Sequence, residues 1–146
     1  MNCTFCRILN NELAASRVYE DEHTLAFLDI HPISQGHTLV IPKRHVESYT
    51  DLSNTEVSRL AEVGRIVAEH LKLAIGGCEG VSLSLADGTS AGQEVPHAHL
   101  HVIPRRHGDG FGFQFPPGYS SDATPRDQLD SVADGVRASI GNARGS

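Results

Sequence analysis

The sequence predicts an α+β fold, and three observations predict it. Short apolar or β-branched runs bounded by glycine, proline and acidic residues recur along the chain, as strands do. One long run with apolar residues at three- and four-residue spacing interrupts them. A second helical run closes the chain after a loop rich in glycine, proline and aromatic residues.

In chain order, Cys3-x-x-Cys6 opens the sequence and a short helical turn follows around Arg7–Asn10. Arg17–Glu20 and Thr24–Leu28 are two strand-like runs separated by Asp21-Glu22-His23, which reads as a hairpin. Pro32 biases His31 away from helix, so a loop starts at Asp29. Gly36–Pro42 is the next strand. Ser53 and Glu56 have the spacing of a capping box, in which two side chains reciprocally satisfy the free donors at a helix start. Behind it Val57, Leu60, Ala61, Gly64, Val67, Ala68 and Leu71 define one face of a helix running to about Leu73, where Gly76-Gly77 stops it. Val81–Ala86 alternates as a half-buried strand and leads into the loop Asp87–Gln93, with an antiparallel neighbour expected on the far side. His107–Tyr119 is too broken for a regular element. Thr124-Pro125 then caps a terminal helix whose face carries Leu129, Val132, Ala133, Val136 and Ile140.

The stretch Pro96–Pro104 places three histidines at alternate positions. Read as a strand, it puts His97, His99 and His101 on one face and Ala98, Leu100 and Val102 on the other. Like charges that close disfavour one another, so some of the rings are expected to be neutral, and neutral imidazole serves as nucleophile or metal ligand.

Composition bounds the rest. A chain of 146 residues is expected to form one domain, and 39% hydrophobic with 21% charged residues suits a packed core in water. No run approaches the roughly 18 apolar residues that span a membrane. The N-terminus has no basic segment followed by an apolar one, so a cytoplasmic, reducing location is expected. In that setting Cys3 and Cys6 form a metal pair, a redox pair or two reduced core thiols rather than a disulfide framework, and Cys78 is expected to be structural. A net charge of −6 argues against a nucleic-acid surface. Lys43-Arg44-His45 and Arg105-Arg106-His107 read either as small cationic spots near one cleft or as ordinary surface charge.

His97-Ala98-His99-Leu100-His101-Val102-Ile103 resembles the signature of the histidine triad (HIT) family of nucleotide hydrolases and transferases, in which histidines alternate with apolar residues. Ala26–Pro32, Gly36–His45 and Ala91–Pro96 resemble that family's other segments in the same order, and the likeness runs from residue 3 to about 106. The resemblance is to the bacterial type with an N-terminal Cys-x-x-Cys. It implies a HIT-like fold: a five-stranded antiparallel sheet with one long helix and a C-terminal helix. A single HIT domain over 1–146 is expected, with about 107–146 less typical of the family.

The same resemblance implies a homodimer that acts on the α-phosphate of a purine nucleotide derivative, a dinucleoside polyphosphate or a nucleoside phosphoramidate. His99 would attack and hold a covalent nucleotidyl-imidazole, which splits one hard displacement into two easier ones. His101 would donate to the phosphate or leaving group, with His97 as the third member of the triad. Substrate-binding residues would be Asp29 toward the ribose, Gly92, Gln93 and Glu94 toward the phosphate, His37 beside them, and Phe27, Ile30 and Ile8 toward the base, with Phe5 and Leu39. Asp29 reads equally as a turn residue, and the apolar set equally as core. Relatives with the cysteine pair imply a structural zinc held by Cys3, Cys6, His45 and His97, four protein ligands that leave no open position. Ala86 and Glu94 depart from common family residues at the phosphate end. A regulatory or scaffold protein that binds nucleotide without turnover is the alternative, and neither a nucleic acid nor a membrane is expected as partner.

Overall fold

The computed structural model describes residues 2–144. The chain divides into two compact units, Met1–Phe111 and Gly112–Ser146. Five strands, β1 (Arg17–Glu20), β2 (Thr24–Leu28), β3 (Thr38–Pro42), β4 (Gly80–Ser84) and β5 (Leu100–Arg105), form one antiparallel sheet in the order β1-β2-β3-β5-β4. Helix α1 (Thr4–Leu9) opens the first unit and α2 (Asn54–Ala74) joins β3 to β4. This is the α+β architecture the sequence predicts, hairpin included.

The sheet is covered on both faces, and alternation along β2 and β3 decides which residue goes where. Leu25, Phe27, Leu39 and Ile41 pack with Cys3, Phe5 and Ile8 from the α1 side. Ala26 and Val40 point the other way, against Leu60, Val63, Val67 and Leu71 of α2. Helix α2 begins with both halves of the capping box: Ser53 Oγ accepts from the Glu56 N–H at 3.2 Å, and Glu56 Oε2 accepts from the Ser53 N–H at 2.8 Å. It ends in an extended Ile75, and Gly77 takes the left-handed φ of 78° that lets the chain turn back toward β4. Gly64 faces β5, where an added Cβ would stand 2.7 Å from Leu100 Cδ2, so the glycine is what lets α2 approach the strand carrying His101.

Cross-strand register then builds the functional face. Phe27 pairs with Leu39 and Leu39 with His101, and directly opposed residues share a face. His101 therefore stands on the α1 side of the sheet beside two apolar side chains, and the α2 side is closed by packing.

The second unit holds α3 (Arg126–Arg144). It starts one residue later than a Thr124 cap with proline at the first helical position implies, because the Pro125 carbonyl itself takes the first helical bond, from the Leu129 N–H at 3.2 Å. Leu129, Val132, Val136 and Ile140 follow at helical spacing. Among the described residues no helix is long and apolar enough to cross a membrane.

Candidate active site and metal centre

A cleft of about 390 Å³ opens on the α1 face of the sheet. One wall comes from the N-terminal segment, through Thr4, Phe5, Ile8, Leu13, Ala14 and Ala15; the floor comes from Phe27 and Leu39; and the end of β2 adds Leu28 to His31. The opposite side is Gly92, Glu94 and Val95, with His99 and His101. Of the residues expected around a substrate, Asp29, Gly92, Glu94, Phe27, Ile30, Ile8, His99 and His101 thus meet in one cavity, and Gln93, His37 and His97 do not line it.

The triad is not three rings on one strand. Strand β5 starts only at Leu100, and His97, Ala98 and His99, all buried, precede it. Backbone pairing explains the difference. The His97 N–H turns back onto the Val95 carbonyl at 2.8 Å, and the Ala98 N–H donates to the Val46 carbonyl at 2.6 Å, so this segment is bonded to a loop rather than to the ladder. As a result His97 joins the two cysteines, while His99 and His101 stay side by side at the cleft, ring centroids 4.9 Å apart.

Backbone groups dictate which nitrogen of each ring carries the proton, because a carbonyl only accepts and an N–H only donates. His99 Nδ1 lies 2.7 Å from the His97 carbonyl, so it is the protonated nitrogen, and the neutral ring keeps a bare lone pair on Nε2. The Ile33 N–H donates to His37 Nδ1 at 3.1 Å, which puts the His37 proton on Nε2. That proton points at His101 Nδ1, 2.9 Å away, and leaves neutral His101 a donor at Nε2. The cleft therefore presents one acceptor nitrogen and one donor nitrogen, a nucleophile beside an anion-stabilising group. Burial favours the neutral ring of His101, pushing it down to about 4, with His99 and His37 adding to the effect against Asp29, and it lowers His37 as well.

His37 is thus behind His101 rather than at the cavity surface, with Asp29 Oδ2 3.7 Å from its Nε2. Asp29 also accepts from the His31 N–H at 2.8 Å, so its turn role and its place on the cleft wall coexist. Gln93 locks the loop internally: its Oε1 accepts from the Gly88 N–H at 2.8 Å, and its Nε2 donates to the carbonyls of Glu47 and Val95 at 2.8 and 3.1 Å. The N–H groups of Gly92 and Gln93 are likewise spent within the turn, on Thr89 and Gly88. Among the described residues no lysine or arginine of the basic runs lines the cleft, and Lys43 pairs with Glu20, Arg44 with Glu56 and Arg105 with Asp109. For Lys43, Arg44 and Arg105 the reading as ordinary, paired surface charge holds. Sequence reasoning missed Thr4, Leu13, Ala14, Ala15, Leu28, His31 and Val95 in the cleft; for Leu13–Ala15 the one signal is a short apolar run following Asn10-Asn11-Glu12.

Beneath this site, Cys3, Cys6, His45 and His97 bring one donor atom each to within 4.8 Å of one another. Ligands about 2.3 Å (sulfur) and about 2.0 Å (nitrogen) from one tetrahedral centre stand about 3.6 Å apart. The structure gives 3.5 Å for Cys3 Sγ to His97 Nδ1, 3.7 Å for Cys6 Sγ to the same nitrogen, and 3.3 Å for Cys6 Sγ to His45 Nδ1. His97 Nε2 is 2.8 Å from the Pro42 carbonyl, which fixes its proton there and frees Nδ1 as a ligand. Donor set, spacing and tautomer are compatible with zinc. Cys78 stands apart, its thiol donating to the Gly80 carbonyl.

An antiparallel sheet with a two-histidine cleft above a Cys₂His₂ cluster defines a class, the histidine triad proteins. The chain belongs to the HIT family: the HIT domain matches residues 10–108. It is similar to the crystal structure of a HIT family member from Bacillus subtilis, at 33% identity and a TM-score of 0.85, covering 94% of this chain and 96% of that one. It is also similar to a zinc-bound histidine triad protein from Mycobacterium smegmatis, at 37% identity and a TM-score of 0.73 over 98% of each chain. Among curated relatives, the adenylylsulfatase HINT3 of Arabidopsis thaliana is 32% identical over 108 residues, 74% of this chain and 54% of that protein.

Proposed function

We propose that the protein is a nucleotidyl hydrolase or transferase that acts on the α-phosphate of a nucleoside phosphate derivative through a nucleotidyl-His99 intermediate. The observation that carries this is the tautomer of His99, whose bonded Nδ1 leaves Nε2 bare beside an apolar cavity of nucleoside size. The base enters between Phe5, Ile8 and Phe27, Asp29 takes the ribose hydroxyls, and His99 Nε2 attacks phosphorus. As the P–N bond to His99 forms, the bond to the leaving group breaks. The leaving atom keeps the electron pair and takes a proton from solvent. His101 Nε2–H donates to the phosphate oxygen where charge develops. Water then displaces His99, giving the nucleoside monophosphate and restoring the lone pair. The Arabidopsis relative's name, an adenylylsulfatase, supports this reaction class for the family.

Zinc held by Cys3, Cys6, His45 and His97 completes the proposal, supported by the tetrahedral spacing and by the zinc-bound relative. When bound, the metal supplies structure, since four protein ligands exclude a reacting water. Thiolate ligands persist in a reducing compartment, which supports a cytoplasmic location. A homodimer and a single functional domain over 1–146 belong to the same reading.

The test is turnover of adenosine 5′-phosphoramidate and diadenosine tetraphosphate, with His99→Ala as the control. A nucleotidyl adduct on His99, seen by mass spectrometry after quenching in alkaline denaturant, where the P–N bond survives, is the expected result. If neither substrate is turned over faster by the wild type than by His99→Ala, while adenosine monophosphate still binds, the protein is a nucleotide-binding scaffold instead.

A further inference from the structure

The ionic character of the cleft wall points to a particular leaving group. Two acidic residues, Asp29 and Glu94, line the cavity, and no lysine or arginine does. The cations that follow β3 are committed elsewhere, Arg44 to Glu56 at 2.7 Å and Lys43 to Glu20 at 3.0 Å. Asp29 is held by the His31 N–H at 2.8 Å and faces His37. Glu94 differs: among the described residues its carboxylate has no hydrogen-bond or ion-pair partner, although it stands on the loop that delivers His99.

An unpartnered anion beside a phosphate is a discriminating element. Sites that take polyphosphate leaving groups ordinarily neutralise them with arginine, lysine or a metal ion. Here the phosphate meets two imidazoles and the carboxylate of Glu94, with no lysine or arginine on the wall, so each further negative charge on the leaving group is repelled. A positive charge is attracted and an uncharged group is indifferent. The nucleoside end of the cleft is apolar, so this selection acts on the leaving group alone.

Resting on the proposed nucleotidyl-transfer reading, we infer that Glu94 is a specificity-determining residue that selects nucleoside phosphoramidates whose departing amine carries a second, cationic group, over those with neutral or anionic leaving groups. The bond broken is the P–N bond to the amine and the bond formed is P–N to His99. The amine nitrogen keeps the electron pair and is protonated from solvent, and the pendant ammonium stays beside Glu94 throughout.

Three adenosine 5′-phosphoramidates of matched chain length test this: N-(4-aminobutyl), N-butyl and N-(3-carboxypropyl). With the wild type, kcat/KM is expected to fall in that order by about fivefold to tenfold per unit of charge, the size of one charge pair a few ångströms apart at a water-exposed wall. In Glu94→Gln the ratios between the three substrates should shrink toward one, and in Glu94→Lys their order should invert. Each ratio is taken within one enzyme, so a general loss of activity in a variant does not imitate the effect. Wild-type turnover with ratios near one, or ratios unchanged in both variants, overturns the role of Glu94 and leaves the nucleotidyl-transfer reading standing. Equal rates for wild type and His99→Ala on all three substrates overturn both.

Discussion

His37 Nε2 and His101 Nδ1 stand 2.9 Å apart, and the Ile33 N–H on the far side of His37 makes that contact directional. A backbone amide thus sets the proton position of a ring two hydrogen bonds away. His37 is a positioning residue in this arrangement, since it touches His101 and not the cavity. His37→Ala should release His101 to carry its proton on Nδ1, turning a lone pair toward the phosphate. We expect kcat to fall by about 100-fold, within the usual range for one acid-base group, with a smaller change in KM. His37→Gln, which keeps an amide donor, should recover part of the loss. Steady-state kinetics of both variants decide the matter, and an alanine variant with wild-type kcat contradicts the relay.

The same buried rings predict how stability depends on pH. His101 titrates near 4 in the folded chain and His37 is lowered too, whereas both have ordinary imidazole values near 6.5 when unfolded. Between those limits the unfolded state binds more protons, so stability rises with pH across about 4 to 6.5 and is level above it. Chemical denaturation at half-unit steps should show this slope, and His101→Asn should reduce it, leaving the part due to His37 and to buried His97. Glu56 behaves in the opposite sense: Arg44 and the Ser53 N–H hold its carboxyl down at about 2, so its contribution is present above the ordinary carboxylate value of 4.5 and is lost as pH falls through 2. A Glu56→Gln variant should lose only this lower phase.

How far the chain could be read before folding depends on how local each signal is. The Arg17–Leu28 hairpin and the Ser53–Glu56 box are legible because every group they need lies within a few residues. The Cys₂His₂ cluster was reached through resemblance, since nothing local links Cys3 to His97 across 94 residues. His-Ala-His-Leu-His has the period of a strand, yet His97 and His99 lie before β5. What period cannot show is that the Ala98 N–H bonds Val46 instead of a neighbouring strand. Gln93 was expected to reach a phosphate, but its amide is consumed by three backbone groups of its own loop and of Glu47, a pairing visible only in three dimensions.

The capping box offers a check on stability separate from chemistry. Ser53→Ala removes the acceptor for the Glu56 N–H and should cost about 1 kcal/mol, typical of an N-cap. Gly64→Ala should cost more, about 1–3 kcal/mol, because its Cβ would press on Leu100 at 2.7 Å inside a packed layer. Leu100 precedes His101, so this second variant should also reduce turnover while the first does not. Equal effects on turnover would mean that the packing of α2 does not set the histidine geometry.

Metal removal should reach the nucleotide site as well as the fold. Cys3 and Cys6 flank Phe5, and Phe5 is in edge contact with both His97 and His99, at centroid distances of 5.8 and 5.2 Å. The segment those cysteines tie down also supplies Thr4, Ile8, Leu13, Ala14 and Ala15 to one wall of the cleft. A six-residue helix does not hold itself together in water, so α1 depends on its core contacts and on whatever gathers its two thiols. Chelation of the zinc-loaded protein should therefore lower the melting temperature and weaken adenosine monophosphate binding by about tenfold or more, with readded zinc restoring both. Cys6→Ser should mimic the chelated state even at saturating zinc, because the remaining thiolate and two imidazoles leave the fourth position empty. Binding is to be read by calorimetry, so the result does not depend on turnover. If chelation lowers the melting temperature but leaves nucleotide affinity unchanged, α1 keeps its place without the metal and the cluster serves stability alone.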